Sequence, residues 1–211
     1  MHLLPTSNAT IGHKGDRANH QYDLGDFWIA ADSCNLPSVS FIKAATYQQG
    51  HPALSDPLKA QAFLVDTINR LQNIPEWNST AVIITYDDSD GWYDHVMPPI
   101  VSQSNDPVYD RLLGKDSLCG HAHIGAYQDR CGYGPRLPFL LISPYAKVNY
   151  VDHSVTDQTS IIRFIEDNWQ LGRIGNQSFD SKAGAFLNVF NFTSSHYAKK
   201  VLLNPSTGLE K

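Results

Sequence analysis

The sequence predicts an α/β fold with a mostly parallel sheet, and three stretches of the chain support that class. Residues 81–85 form a short apolar run, rich in β-branched side chains, which is typical of a buried parallel strand. Residues 57–71 carry apolar side chains at helical spacing, and residues 36–42 alternate apolar and polar side chains as a strand does. Strand, helix and strand in this order predict a β-α-β unit with a right-handed crossover.

The two strongest helices are predicted from their first residues as well as from their spacing. Asp56 is a good N-cap and Pro57 a good first-turn residue for the helix over residues 57–71. Thr156 or Asp157 is expected to cap a second helix further along the chain. Its buried face is predicted to consist of apolar side chains at helical spacing: Ile161, Ile162, Phe164, Ile165 and Trp169.

Two further elements complete the predicted order. Residues 26–32 are expected to form a short helix that buries Phe27, Trp28 and Ala31. Residues 137–144 are expected to form another buried strand, bounded by prolines. Residues 96–136 lie between the two apolar strands and show little periodicity, and loops of that length are commonly functional or disordered.

Length, charge and hydropathy exclude several classes of function. The chain has 211 residues, enough for one domain with a substantial core or for part of a larger one. A formal net charge of -5, without any basic run, argues against nucleic acid as a binding partner. No stretch approaches the roughly 20 apolar residues that span a bilayer, so no transmembrane segment is expected. Residues 1–7 lack the basic and apolar regions of a signal peptide.

The strongest chemical signal is the acidic motif that follows the apolar run at residues 81–85. Residues 87–95 contain four aspartates and a histidine, and the motif begins where the predicted strand ends. Ligands of open α/β sheets bind beyond the carboxyl ends of the strands, and adjacent carboxylates repel unless a positive charge neutralises them. Asp87 and Asp88 are therefore the candidate ligands of a divalent cation. The alternative is a polar turn, because Asp, Ser and Gly all favour turns.

The geometry of that pair depends on where the strand stops. If the strand continued, Asp87 and Asp88 would point to opposite faces of the sheet. A turn over residues 89–91 could instead bring both carboxylates to one ion.

His51 is the candidate histidine of the same site. It lies in the loop after the strand expected at residues 36–42, and in a β-α-β unit that loop opens on the same edge as Asp87. His51 could then act as a ligand, a general acid or a hydrogen-bond donor to phosphate. The alternative is a solvated loop histidine.

The cysteines suggest an oxidising compartment. Cys119 and Cys131 bracket a loop whose length suits closure by a disulfide. The alternative, a metal knuckle with His121 and His123, lacks the paired CxxC spacing of structural zinc sites. Cys34 remains and is expected to be a small buried residue rather than a reactive thiol.

Five segments, taken in chain order, match one known family: residues 18–23, 47–57, 85–95, 131–138 and 157–160. In these segments the sequence resembles the bacterial and fungal phosphoesterases that include phospholipase C and acid phosphatases, members of the alkaline-phosphatase-like superfamily. The resemblance spans most of residues 1–170 and rests on several motifs in order rather than on one.

The resemblance implies a three-layer α/β/α sandwich that hydrolyses phosphoric esters at a divalent metal centre of undetermined identity. It implies metal-ligand chemistry for Asp87 and Asp88 and a place at the phosphate for His51. His20, in the first matching segment, is the second candidate catalytic histidine. The implied substrate is a phosphate ester, with a phospholipid as one candidate.

The same family also carries a Glu-Asn metal-binding motif and a Ser or Thr nucleophile upstream of the matched region, and neither is found in this chain. Residues 1–211 are therefore expected to form one partial catalytic domain, the C-terminal portion of the family's domain, with residues 171–211 as a weakly defined tail. The full-length parent is expected to be secreted or periplasmic. The alternative is an incomplete fragment that binds phosphate ligands without turnover.

Overall fold

The computed structural model describes residues 22–89, 94–101, 103–104, 132–176, 178–193 and 199–211. These residues show a mixed α/β architecture, which confirms the coarser part of the predicted fold class. Its helices are α1 (Leu24–Asp32), α2 (Pro57–Leu71) and α3 (Thr159–Trp169), and its strands are β1 (Val82–Thr85) and β2 (Phe139–Ile142).

The described residues group into two compact units. The first unit contains those within residues 1–82, 141–148 and 191–211, and the second contains those within residues 83–140 and 149–190. Each unit has its own packing.

The apolar core of the first unit forms around α1 and α2. Its buried members are Ala31, Leu71, Ile74 and Trp77, and six half-buried apolar side chains pack against them: Phe27, Trp28, Leu36, Ile68, Val82 and Ile142. The short helix expected at residues 26–32 is confirmed, and Ala31 is fully buried in it. Trp28 also contacts a cation, because the Arg70 guanidinium lies 4.2 Å from its ring centroid.

Helix α2 begins as its sequence predicts. The Asp56 carboxylate accepts a hydrogen bond from the Leu58 backbone N–H at 2.9 Å, and Pro57 occupies the first turn. The helix ends at Leu71, and a 3₁₀ turn over Pro75–Ser79 leads to β1.

The strand expected at residues 36–42 does not form. Phe41 is 79% exposed in this stretch, so the alternating pattern does not bury one face. A strand is stable only when a neighbouring strand pairs with its backbone, and alternation alone does not supply one. The predicted β-α-β unit therefore lacks its first strand.

Both apolar strands are confirmed, although each is shorter than expected. The expectation that they are buried is wrong, because β1 is only half-buried and Leu140 of β2 is 57% exposed. Together, β1 and β2 form a two-stranded sheet, which is the one sheet among the described residues. A three-layer sandwich with a mostly parallel sheet requires more strands than these, and it stays a prediction.

In the second unit, α3 packs against an aromatic cluster. The ring centroids of Phe164 and Phe186 lie 5.0 Å apart, those of Phe139 and Phe186 5.3 Å, and those of Phe164 and Phe190 5.5 Å. The predicted buried face of α3 is wrong at Trp169, which is 42% exposed at the end of the helix.

A C-terminal hairpin binds α2 in the first unit. The side-chain amides of Gln72 and Asn69 each pair with one residue of the main chain, Val201 and Leu203 respectively, and every hydrogen bond is 2.8–3.0 Å long. Gly208, at φ +70°, forms part of the hairpin turn. Residues 199–211 are thus tied to α2 by their backbone.

Two surface observations bear on the remaining predictions. In the portion of the chain described here, no helix has the length and apolar composition that crossing a bilayer requires. Cys34 is exposed, so the expectation that it is buried is wrong. It lies just after α1 at φ +54°, in a tight turn at the surface rather than in the core.

Candidate active site

The acidic motif begins two residues after a strand end in the second unit. Strand β1 ends at Thr85, and the side chains of both Asp87 and Asp88 are exposed. The strand thus stops before the two aspartates rather than running through them. Their carboxylates lie at the surface, where a ligand from solution can reach them.

Gln158 fixes the backbone at this point. Its side-chain nitrogen donates to the carbonyl oxygens of Tyr86 at 2.7 Å and of Asp87 at 2.8 Å. A primary amide has two N–H donors, and these two contacts use both of them. One side chain therefore holds the residue before the aspartate pair and the first aspartate itself.

Residues at the start of α3 hold the backbone of Gln158 in place. One Asp157 carboxylate oxygen accepts from the backbone N–H groups of Thr159 at 2.6 Å and Ser160 at 3.2 Å, as an N-cap does. The Ser160 hydroxyl accepts from the Asp157 N–H at 3.1 Å, which makes the cap reciprocal. Ser160 is fully buried. The expectation that Asp157 or Thr156 caps the helix is confirmed for Asp157.

Tyr133 lies near this cap, in the segment before β2. Burial raises the pKa of the Tyr133 hydroxyl, and the negative charge of the Asp157 carboxylate raises it further. The backbone of this segment is also fixed, because the Tyr133 N–H donates to the Pro99 carbonyl at 2.9 Å. The Val101 N–H donates to the Gly132 carbonyl at 3.0 Å.

Asp94, a later member of the acidic motif, is committed to an ion pair. Arg136 approaches it with Nε at 2.8 Å and with a terminal guanidinium nitrogen at 3.0 Å, the bidentate geometry of a strong pair. These bonds from Arg136, with a further bond from the Val96 N–H, hold the pKa of Asp94 well below its usual range. The charge of Asp94 is thus balanced within the protein by Arg136.

The residues present fit a cation only in part. The carboxylates of Asp87 and Asp88 are oxygen donors of the kind that hard cations such as Mg²⁺ prefer, and Mg²⁺ is commonly held by one or two carboxylates plus substrate phosphates and water. Among the residues that the structure describes, no group of three or more His, Cys, Asp or Glu side chains could hold a metal. The two carboxylates alone would thus make up only part of a coordination shell.

His51 lies in the first unit, on an exposed loop before α2. Its Nδ1 lies 2.6 Å from the Pro52 carbonyl oxygen, so in the neutral ring the proton is on Nδ1 and the lone pair is on Nε2. The loop is ordered locally, because the Gly50 N–H donates to the Ser55 hydroxyl at 2.7 Å. The topological argument that placed His51 beside Asp87 needed a strand at residues 36–42, and that premise is wrong.

Other predicted site residues lie outside the described part of the chain. These are His20, the proposed disulfide pair Cys119 and Cys131, and the part of the acidic motif at residues 90–93. Their roles stay predictions.

A comparison with models of protein families shows which family the chain belongs to. The model described as the phosphoesterase family matches residues 6–172, most of the chain. The chain belongs to the phosphoesterase family. The matched region includes the acidic motif, the Asp94–Arg136 pair and the first turn of α3, whereas the C-terminal hairpin lies beyond it.

Curated relatives of this phosphoesterase carry phospholipase C names. The non-hemolytic phospholipase C of Pseudomonas aeruginosa is 34% identical over 140 residues, which cover 64% of this chain and 20% of the relative. Phospholipase C B of Mycobacterium tuberculosis is 31% identical over 206 residues, which cover 89% of this chain and 39% of the relative. The non-specific phospholipase C6 of Arabidopsis thaliana is 32% identical over 133 residues, 60% of this chain and 23% of the relative. The chain thus spans about a fifth to two fifths of these relatives' length.

The sequence alone assigned no chemical role to two residues that contact the acidic motif in the structure, Gln158 and Arg136. Gln158 and Arg136 both lie in segments that carry the family resemblance. Their positions offered a signal, since Gln158 stands at the start of a helix and Arg136 lies three residues before a strand. No signal in the sequence identifies their partners, because Asp87 is 71 residues from Gln158 and Asp94 is 42 residues from Arg136.

Proposed function

We propose that this chain forms part of a metal-dependent phosphoric ester hydrolase of the phospholipase C or acid phosphatase type, built on a three-layer α/β/α sandwich. The observation that carries the proposal is the family match over residues 6–172, which contains an aspartate pair at the end of a strand. The phospholipase C names of the relatives favour a phospholipid or another phosphodiester as the substrate.

In the proposed enzyme, Asp87 and Asp88 would hold the divalent cation. When bound, such an ion polarises a phosphoryl oxygen and stabilises the charge that develops on it. The remaining ligands would come from water, from the substrate's phosphate oxygens or from residues outside the described part of the chain.

The other side chains of the edge would orient and balance charge. Gln158 holds the main chain that carries the aspartates through its contacts with Tyr86 and Asp87. Arg136 compensates the charge of Asp94, so the edge presents less net negative charge to an anionic phosphate ester. The family resemblance alone, and no contact among the described residues, proposes His51 as a donor or general acid toward a phosphoryl group.

A role in binding without turnover is the second candidate. The chain covers only about a fifth to two fifths of the relatives it matches, and the family's nucleophile motif is not in its sequence. A cation and a carboxylate pair can bind a phosphate ester without a nucleophile to open it.

The test uses the full chain, stripped of metal and then given Mg²⁺, Mn²⁺, Ca²⁺ or Zn²⁺ in turn. We expect cation-dependent hydrolysis of p-nitrophenylphosphorylcholine or p-nitrophenyl phosphate, lost in the double variant Asp87→Asn, Asp88→Asn. Asp66→Asn, an exposed aspartate of α2, is the matched control and should retain the activity.

The outcomes separate the two candidates. Equal hydrolysis by the double variant would refute the role of the aspartate pair. Cation-dependent binding of the two esters without hydrolysis would select the binding role. If the chain neither binds nor hydrolyses them with any of these cations, both candidates fail.

A further inference from the structure

The backbone after β1 departs from strand geometry before it reaches the aspartate pair. In an extended strand, successive residues present their side chains and their carbonyl groups to alternate sides. The carbonyls of Tyr86 and Asp87 are consecutive, yet both lie within 2.8 Å of the same nitrogen of Gln158. The alternation that would send Asp87 and Asp88 to opposite faces has therefore ended by Asp87.

An amide is the side chain that suits this contact. Its NH₂ group has two donors diverging from one atom, which matches two carbonyl oxygens that converge. A carboxylate of the same shape has acceptors only and would face two carbonyl oxygens without a proton between them. The position thus selects glutamine over glutamate although both have the same length.

The support behind Gln158 makes the contact rigid. Asp157 and Ser160 cap the first turn of α3 on either side of it, and Ser160 is fully buried. The position of the Gln158 backbone is set by groups that do not depend on the acidic motif.

We infer that Gln158 is a positioning residue for the acidic motif, which fixes the turn that lets Asp87 and Asp88 serve one cation. The cation in this inference rests on the proposed function, whereas the turn rests on the geometry of the hydrogen bonds alone. Gln158 itself contacts neither the cation nor the substrate in this account. It acts through the main chain of residues 86 and 87.

The first experiment follows backbone amide hydrogen exchange in the metal-free full chain. Replacing Gln158 by Ala removes both hydrogen bonds, and we expect exchange in residues 86–89 to become about tenfold faster. Gln170→Ala, at the opposite end of α3 and exposed, is the control and should leave that segment unchanged. Unchanged exchange in the Gln158→Ala protein would overturn the inference.

The second experiment measures Mn²⁺ affinity by isothermal titration calorimetry. Gln158→Glu adds a negative charge near the aspartates, so simple electrostatics would tighten Mn²⁺ binding. If Gln158 positions the motif, the same change weakens binding by about tenfold, as does Gln158→Ala. Tighter or equal binding in the Gln158→Glu protein would contradict the inference, with Gln170→Glu as the matched control.

The two experiments keep the two proposals apart. If the unsubstituted chain binds no Mn²⁺, Mg²⁺, Ca²⁺ or Zn²⁺, the cation part of the proposed function fails. The exchange measurement still decides whether Gln158 fixes the turn, because it uses no metal.

Discussion

Different forces stabilise the helical core of the first unit and the acidic edge of the second unit. Around α1 and α2, buried apolar side chains such as Leu71 and Trp77 fill a common core. At the acidic edge, hydrogen bonds and an ion pair between polar groups fix the exposed chain around Asp87 and Asp94. Apolar packing tolerates small shifts, whereas a pair of hydrogen bonds to one nitrogen requires exact placement. The second arrangement is the one that chemistry at a strand end requires.

The largest effect is expected from emptying the core of the first unit. Trp77 is 4% exposed, and Trp77→Ala removes its packing and leaves a cavity. We expect a loss of about 4 kcal/mol in the free energy of unfolding. Urea unfolding followed by circular dichroism measures it. A loss below about 1 kcal/mol would show that packing around Trp77 contributes little to the stability of this unit.

The next largest effect is expected from a steric clash with the backbone of the second unit. A Cβ atom on Gly184 would lie 1.9 Å from the Val155 carbonyl oxygen, far inside van der Waals contact. Gly184→Ala should therefore cost about 3 kcal/mol of unfolding free energy. Gly134→Ala is the matched control, because no atom lies within 4 Å of its Cβ position. Equal stability of the two variants would contradict the close packing of residues 155 and 184.

A smaller effect tests the polar contacts of the first unit. Gln72 is 3% exposed and pairs with both backbone groups of Val201. Gln72→Ala should cost about 2 kcal/mol, because it leaves those groups without their partner. It should also expose residues 199–211 to proteolysis. Lys59→Ala, on the exposed side of α2, should change neither quantity, and an intact C-terminus in the Gln72 variant would argue against the hairpin contact.

The smallest effect is expected only at acid pH, and it tests the ion pair between Asp94 and Arg136. Arg136 lowers the pKa of Asp94 in the folded protein, so this carboxylate stabilises the fold above its unfolded pKa of about 3.9. That contribution is lost as the pH falls below about 4 and the carboxylate gains its proton. In Asp94→Asn, the urea midpoint should fall less steeply between pH 5 and pH 2 than in the unsubstituted chain. If the urea midpoints of the two proteins fell equally between pH 5 and pH 2, the Asp94–Arg136 pair would not contribute to stability.

The sequence predicts the helical core better than the acidic edge, for a physical reason. Local spacing and caps are enough for α2, whose first residues Asp56 and Pro57 identify its start. The error at residues 36–42 arose because alternation describes one strand, while a strand also depends on a partner. The contact of Gln158 with Asp87 joins residues far apart in the chain, and no periodicity records such a pair.

The C-terminal hairpin illustrates the same limit. The sequence predicts residues 171–211 only as a weakly defined tail. No periodicity in that stretch shows that Gln72 and Asn69 bind the backbone of Val201 and Leu203. The apolar run before the aspartate pair predicts that the pair follows a strand, and the structure confirms that place, while the role of the pair stays a prediction.

The central claim is that Asp87 and Asp88 together hold a divalent cation. Calorimetric titration of the metal-free full chain with Mn²⁺, alongside the double variant Asp87→Asn, Asp88→Asn, tests it most directly. We expect saturable binding to one site in the unsubstituted chain, weakened by at least about tenfold in the double variant. Mn²⁺ binding of equal affinity and stoichiometry in both proteins would contradict it.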